Sequence, residues 1–457
     1  MIVMKFGGSS VESAAAMERV AAIVRGRLER RPVVVISAMG TTTNRLLEIA
    51  RAAVSGDRRG ALRLIHELRD YHSREARQVI PLADRAELDL LLDEHFQELT
   101  ELIKGLIVVG EATPRSLDAI ASYGERLSSH IVAGAFGHLG VPAQHVDARS
   151  VLVTDDRFTQ AAPLYAPTGR RLVETLTPLL DAGRVAVLGG FLGATEGGVT
   201  TTLGRGGSDF SASIIGAALG AEEIQIWTDV DGLLTCDPSL VPEARRVKII
   251  SFNEAAELAY FGAKVLHPST LAPAMEKNIP VRILNSRRPE CEGTQILPQA
   301  PPTSSLAKSI ACKKNLTVVD ITSTRMLMAH GFLRRIFEVF ERFETPVDMV
   351  TTSEVSVSLT IDSSARLDEI TRQLGQFAEV RHENHQAIIC LVGDNIRYTP
   401  GVAGRIFGAV GGVNVRMISQ GASVRNVSFV VQESDLKPAV EALHREFFGQ
   451  LDPEIFA

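Results

Sequence analysis

Val3-Met-Lys5-Phe-Gly7-Gly8-Ser-Ser10 is a short apolar run that carries one lysine and breaks on two glycines. It reads as a buried strand running into a turn. The pattern recurs down the chain. Val33 to Ser37, Val185 to Leu188, Ile224 to Thr228 and Val281 to Leu284 are likewise short and rich in β-branched residues. Several are apolar throughout rather than alternating, as strands covered on both faces must be. Between them lie stretches with helical spacing, among them Glu12 to Arg30, Tyr123 to His138 and Asp209 to Leu219. This alternation predicts an α/β domain on a mostly parallel central sheet, spanning residues 1–297. Residues 56–108 interrupt it. Leu88, Leu91, Leu92, Phe96 and Leu99 fall near a 3.6-residue period, so a helical hairpin with a solvated charged face is expected there, laid on the sheet domain.

The stretch Pro298-Gln-Ala-Pro301-Pro302-Thr-Ser-Ser is short and stiff, and residues 298–307 read as a linker. Beyond it the chain repeats itself. Gly331, Arg335, Ile336 and Phe337 recur as Gly401, Arg405, Ile406 and Phe407, a period of about 70 residues. Val347-Asp-Met-Val350 recurs as Val415-Arg-Met-Ile418. Two small α+β modules follow, at 308–388 and 389–457, each reading strand, glycine turn, helix, strand, strand, helix. Lys308 to Cys312 is a candidate strand of the second module. One copy buries too little surface to stand alone, so the copies are expected to pack together.

Composition excludes several classes. Basic and acidic residues number 48 and 54, with no strongly basic domain, so nucleic acid is not an expected partner. The four cysteines, at 236, 291, 312 and 390, show neither metal-ligand nor disulfide-framework spacing. No metal-ligating residue is assigned. Free thiols, glycines where a leader would need an apolar run, and the absence of any uninterrupted apolar span predict a cytoplasmic protein without a membrane partner.

Chemistry concentrates at strand ends, where α/β sheets bind ligands. Lys5 with Gly7 and Gly8 suits a phosphate, or is only a turn. Ser37-Ala-Met-Gly40-Thr-Thr-Thr43-Asn44 offers hydroxyl donors at a helix start for phosphate or carboxylate, or is only a helix cap. Gly204-Arg205-Gly-Gly-Ser208-Asp209-Phe210 is the strongest signal. Its arginine fork fits a carboxylate and Asp209 attracts an ammonium group, and a capping role for Asp209 alone leaves the arginine among glycines unexplained. Trp227-Thr228-Asp229-Val-Asp231-Gly232 and Phe261-Gly-Ala-Lys264-Val-Leu-His267-Pro268 suit a nucleotide and its phosphates. Neither a P-loop nor a protein-kinase motif set occurs, so a nucleotide would bind in another way.

Taken in order, KFGGSS, the Glu125 segment SYGERLS, LGRGGSDF, WTDVDG and FGAKVLHP resemble the aspartate kinases of the amino-acid kinase superfamily. HGFLRRIF, PVDMVTTSEVSVSLT and VRMISQGAS resemble their paired C-terminal ACT domains, which have a ferredoxin-like fold. The likeness is to the monofunctional, lysine-sensitive type, without a fused homoserine dehydrogenase. It implies ATP-dependent phosphorylation of the aspartate side chain, with Mg²⁺, in the pathway to lysine, threonine and methionine. By this resemblance Lys5 and Asp209 are catalytic. Lys5, Gly7, Gly8, Ser37, Thr228, Asp229 and Lys264 contact ATP; Thr43, Glu125, Arg205 and Ser208 contact aspartate. An amino-acid effector, lysine, would meet Met326, Gly331, Phe332, Leu333, Val347, Asp348, Thr352, Ser353 and Glu354 in a homodimer formed through the ACT domains. Ala329, where lysine-sensitive relatives carry serine, keeps open threonine as the effector, or a feedback-resistant enzyme. Leu234 and Ser239 depart from the pattern near the nucleotide, where relatives have tyrosine and arginine.

Overall fold

The computed structural model describes residues 1–261, 268–301, 303, 305–323 and 330–457. The chain forms two compact units, Met1–Leu233 with Val265–Ala300, and Leu234–Lys264 with Pro301–Ala457.

The first unit is built on parallel strands in the spatial order Ala143–Val146, Val185–Gly189, Pro32–Ile36, Ile2–Phe6, Glu223–Thr228 and Val281–Asn285, with Thr294–Leu297 antiparallel beside the last. Every residue of Ile2–Phe6 and Pro32–Ile36 is buried, so the sheet is covered on both faces and the runs need no polar alternation. Burying each valine, isoleucine, methionine or phenylalanine side chain of these strands contributes roughly 1.5–3 kcal/mol. At the centre the rings of Phe6 and Trp227 stack at 5.8 Å, and Trp227 satisfies its indole N–H on Gln225 at 3.1 Å. Register matters for function. Phe6 pairs with both Ile36 and Trp227, Ile36 with Gly189, and Thr228 with Asn285. The residues that follow each strand therefore emerge together along one sheet edge.

The inserted hairpin is present as helices Arg58–Val79 and Leu82–Val109. Leu92, Phe96, Leu99, Ile103 and Leu106 form its buried stripe and join the same apolar cluster as Ile2, Met4 and Phe6. Two helix starts differ from the sequence reading. The helix carrying Glu125 begins at Pro114, not near Tyr123: Thr113 accepts a hydrogen bond from the Ser116 N–H, and proline suits the first turn. The first helix runs only over Ala14–Arg25, capped by Ser13, before a 3₁₀ turn at Leu28–Arg30.

The second unit holds an antiparallel sheet ordered Val350–Thr352, Ser356–Ile361, Ser309–Thr322, Glu379–Val392, Asn426–Gln432 and Met417–Gln420. Its two central strands run 14 residues each and serve both modules. Leu316 to Thr322 belong with the first, while Ser309–Lys313 pairs with Ile388–Val392 of the second, across a register shift after Lys313. The repeated glycines have one physical role. Gly331 and Gly401 start helices Phe332–Arg342 and Val402–Ala409 with φ of 80° and 81°, a conformation that side chains resist. Residues 234–261, which the sequence reading left inside domain 1–297, pack with this unit. Ile310 N–H donates to Thr235 O at 2.7 Å, Ser309 Oγ to Leu234 O at 2.7 Å, and Glu257 accepts from Ser423 and Asn426, both at 2.5 Å.

Candidate active site

The edge defined by the parallel register collects the charged and glycine-rich segments of the first unit. Lys5, at the end of Ile2–Phe6, is 9% exposed, and its Nζ lies 2.6 Å from Asp209 Oδ1. Asp209 occupies the first turn of helix Gly207–Leu219, where the helix dipole favours an anion. It is not the cap; Gly206 holds that place with φ 72°. A lysine that is mostly withdrawn from water thus has a carboxylate counter-ion, in an ion pair without hydrogen-bond alignment, and retains hydrogens for a second anion.

The phosphate-suited loops touch one another. Gly7 N–H donates to Trp227 O at 3.0 Å, and Gly40 N–H to Gly8 O at 3.0 Å. A Cβ on Gly8 would sit 2.7 Å from Ala38 O and 2.9 Å from Gly40 O, so only glycine allows this approach. Ser37 O accepts from Ser128 Oγ at 2.9 Å. Thr228 stands on the same edge, tied in through Ser286, whose hydroxyl contacts Ser10 Oγ at 2.7 Å and donates to Thr228 O at 3.1 Å. Thr228 Oγ1 donates to the exposed Asp229 at 3.2 Å.

Glu125 is 3% exposed. Its Oε1 accepts the Ala38 N–H at 3.1 Å, whereas its Oε2 has no partner. Burial pushes its carboxyl up to about 8, against the opposing pull of the Ala38 N–H and the Lys5 charge. A buried acceptor left unpaired is costly unless a donor arrives. The surrounding backbone is packed close. A Cβ on Gly124 would meet Ala38 Cβ at 2.8 Å and Thr43 Oγ1 at 3.6 Å; one on Gly189 would meet Glu125 Cβ at 3.0 Å; one on Gly190 would meet Ser208 Cβ at 2.7 Å. Lys5, Gly7, Gly8, Ser37, Thr43, Glu125, Ser208 and Asp209 thereby form one connected cluster. Arg205 is exposed on the turn before the helix and makes no ion pair among the described residues.

Sequence reasoning missed Asp118. It is 1% exposed and accepts from Thr159 N, Thr202 N and Thr202 Oγ1. One acid inside an ordinary helical pattern carries no signal. Gly190 and Ser286 were missed as well, since close backbone approach and interstrand hydroxyl contacts leave no spacing rule. Lys264 lies outside the described residues. Among those residues no group of three or more His, Cys, Asp or Glu is placed to hold a metal ion.

The expected effector residues divide. Phe332 is buried in the core of the first module and Val347 packs against it, while Leu333 is exposed. Both Asp348 oxygens take Lys313 Nζ at 2.8 Å, and that ammonium also reaches Asp362 at 3.1 Å. Burial raises the Asp348 carboxyl and Lys313 opposes the rise. Ser353 Oγ accepts the Ser356 N–H at 3.1 Å, closing the turn that contains Glu354 and follows Thr352. Met326 lies outside the described residues.

A parallel sheet with glycine loops, a lysine and an acid at one edge, followed by a paired α+β module, defines a class before it defines a member. Residues 1–285 match the amino acid kinase family, and residues 389–447 match the ACT domain family. The chain is 42% identical to aspartokinase 1, chloroplastic, of Arabidopsis thaliana, covering 98% of this chain and 80% of that protein. The crystal structure of Escherichia coli aspartokinase III in complex with aspartate and ADP (R-state) superposes with a TM-score of 0.86 at 35% identity, over 98% of this chain and 100% of that one. The structure of the same enzyme with lysine and aspartate (T-state) gives 0.83 at 34% identity, over 98% and 99%. The chain belongs to the aspartokinases, a branch of the amino acid kinase family. No helix among the described residues is long and apolar enough to cross a membrane.

Proposed function

We propose that this chain transfers the γ-phosphoryl group of ATP to the side-chain carboxylate of L-aspartate, giving 4-phospho-L-aspartate and opening the route to lysine, threonine and methionine. The observation that carries the reading is the unpaired, buried Oε2 of Glu125 beside the Lys5–Asp209 pair. An α-ammonium group satisfies that oxygen, and Arg205 meets the α-carboxylate with its fork, Thr43 and Ser208 lying alongside. The nucleophile, with an ordinary pKa of about 4, is ionised at neutral pH and needs no general base. The barrier lies in bringing it up to a polyanion. Lys5, held by Asp209, neutralises the transferring group; the Gly7, Gly8 and Ser37 backbone lines the phosphates; Thr228, Asp229 and Lys264 hold the nucleotide. Mg²⁺ bound to the nucleotide would supply further neutralisation of phosphate charge, and no residue of this chain is assigned as its ligand.

The aspartate and ADP of the E. coli structure support this pocket, and its lysine complex supports lysine as the effector. The reading includes a homodimer through the ACT sheet, whose edge strand Met417–Gln420 exposes Ile418. Four free thiols fit a reducing compartment such as the cytoplasm. The test is ATP turnover with aspartate, glutamate or no acceptor, with hydroxylamine present to trap an acyl phosphate. Aspartate-dependent hydroxamate is expected. Equal turnover with glutamate, or turnover without an acceptor, overturns the assignment. Adding lysine or threonine then identifies the effector, and light scattering reads the dimer.

A further inference from the structure

We propose that Asp118 is a positioning residue for amino-acid substrate binding, setting the turn that presents Arg205; this rests on the reading of Arg205 as the carboxylate fork. Asp118 sits two turns before Glu125 on helix Pro114–His138, pointing away from solvent at 1% exposure. Its contacts are all donors. Thr159 N–H reaches Oδ1 at 3.0 Å and Oδ2 at 2.9 Å, Thr202 N–H reaches Oδ2 at 3.0 Å, and Thr202 Oγ1 reaches Oδ1 at 2.7 Å. Burial raises its carboxyl while the threonine donors oppose the rise, and the donors converging on its two oxygens favour the ionised form. No cation pairs with it among the described residues, and the two threonines alone solvate it.

Both threonines lead to Arg205. Thr202 ends strand Thr200–Thr202, three residues before the arginine, and its O accepts the Ala161 N–H at 2.9 Å. Thr159 holds φ 72°, a left-handed conformation that a β-branched residue adopts only under constraint. The carbonyl it presents lies 3.1 Å from where a Cβ on Gly204 would be, so it forms the floor beneath Gly204, itself at φ 78°. On the far side Gly206 at φ 72° hands the chain into helix Gly207–Leu219. Arg205 thus hangs between two left-handed glycines whose upstream support is the Asp118 clamp. The same helix carries Glu125, so one rigid element fixes the distance between the residues assigned to the two ends of the substrate's α-carbon.

The clamp touches neither the Gly7–Gly8 loop nor Thr228, which predicts a selective defect. Asp118→Asn replaces one acceptor oxygen with an amide that faces donors. It is expected to raise the KM for aspartate roughly tenfold or more, with the KM for ATP and the kcat at saturating aspartate within about twofold. Thr202→Val, which deletes only the hydroxyl donor, is expected to give a smaller rise of the same kind, and Thr202→Ser to restore the native value. These two variants carry the test if Asp118→Asn does not fold. In a double-mutant cycle, Asp118→Asn on an Arg205→Ala background is expected to add little, because the residue it positions is gone. Equal rises in both KM values, a kcat loss without a KM change, or full additivity with Arg205→Ala overturns the proposal. If Arg205→Ala itself leaves the aspartate KM unchanged, the carboxylate reading of Arg205 has failed instead.

Discussion

Lys5 and Glu125 are both buried ionisable groups, yet their environments push them toward opposite requirements. Lys5 has its counter-ion already, in Asp209 at 2.6 Å. Glu125 has only half of its acceptor capacity filled. Lys5→Ala removes the ammonium at the end of Ile2–Phe6 and strands Asp209 in a mostly dry position. Losing a preorganised charge of this kind is expected to lower kcat by roughly 10²–10³-fold, with a smaller change in the KM for aspartate, measured by steady-state kinetics. Unaltered kcat would remove Lys5 from the mechanism. Glu125 yields a pH prediction. Burial raises its folded value to about 8, against 4.5 for the free side chain, which favours the protonated form of the empty site at neutral pH. The folded state then binds more protons than the unfolded state between those values, so stability falls as pH rises from about 4.5 to about 8. An arriving ammonium reverses the preference and expels the proton. Aspartate affinity is therefore expected to strengthen between pH 6.5 and 8, with proton release visible by calorimetry in buffers of different ionisation enthalpy. Glu125→Gln is expected to abolish the release and to flatten the stability loss. A proton count of zero on binding to the native enzyme would sink this assignment.

At the scale of elements, strands were the most legible feature and helix starts the least. Runs such as Val33 to Ile36 must be buried on both faces, so hydropathy alone locates them to within a residue. The start of Pro114–His138 depended on a side-chain cap at Thr113, which competes with nothing in the apolar pattern and so leaves no trace in it. The glycine motifs were legible for a physical reason. Gly8 and Gly206 stand where a Cβ meets a carbonyl at 2.7 Å or where φ is 72°. Asp118 and the unpaired oxygen of Glu125 were not legible as geometry, because both depend on what the fold brings alongside. The inserted hairpin allows the separation of stability from chemistry. Leu99 is fully buried in its stripe, far in sequence from the site loops. Leu99→Ala is expected to cost about 2–5 kcal/mol in urea denaturation while folded enzyme at 25 °C keeps its kcat within about twofold. A loss below 1 kcal/mol would mean that the hairpin is not part of the core.

At the scale of the whole molecule, the repeat beyond the proline linker is readable in recurring residues such as Gly331 and Gly401, but the division of the chain into its two compact units is not. Residues 234–264 carry no change of composition, and their attachment through Glu257 to Ser423 and Asn426 joins positions more than 160 apart in sequence. A second global property is equally hidden: the first unit keeps several histidines neutral. His72 is completely buried, donates Nδ1–H to Leu68 O at 2.8 Å and lies edge-on to Tyr71 and Phe96, and burial lowers it to about 4. His130 and His145 stack at 3.5 Å with Arg126 and Arg149 nearby, and burial lowers them to about 3 and about 4. Unfolded, all three return to about 6.5. Between these values the unfolded chain binds more protons, so stability rises with pH, and acid removes it from about pH 6.5 downward. For His72, the most enclosed, the full effect at pH 4 is roughly 3 kcal/mol at most, at 1.36 kcal/mol per pKa unit. Urea denaturation from pH 7.5 to pH 4.5 is expected to show a steep decline below pH 6.5, and His72→Leu to make the decline shallower. An unchanged slope in that variant would mean that the acid sensitivity resides in the carboxylates, and that the buried imidazole already carries its proton in the folded protein.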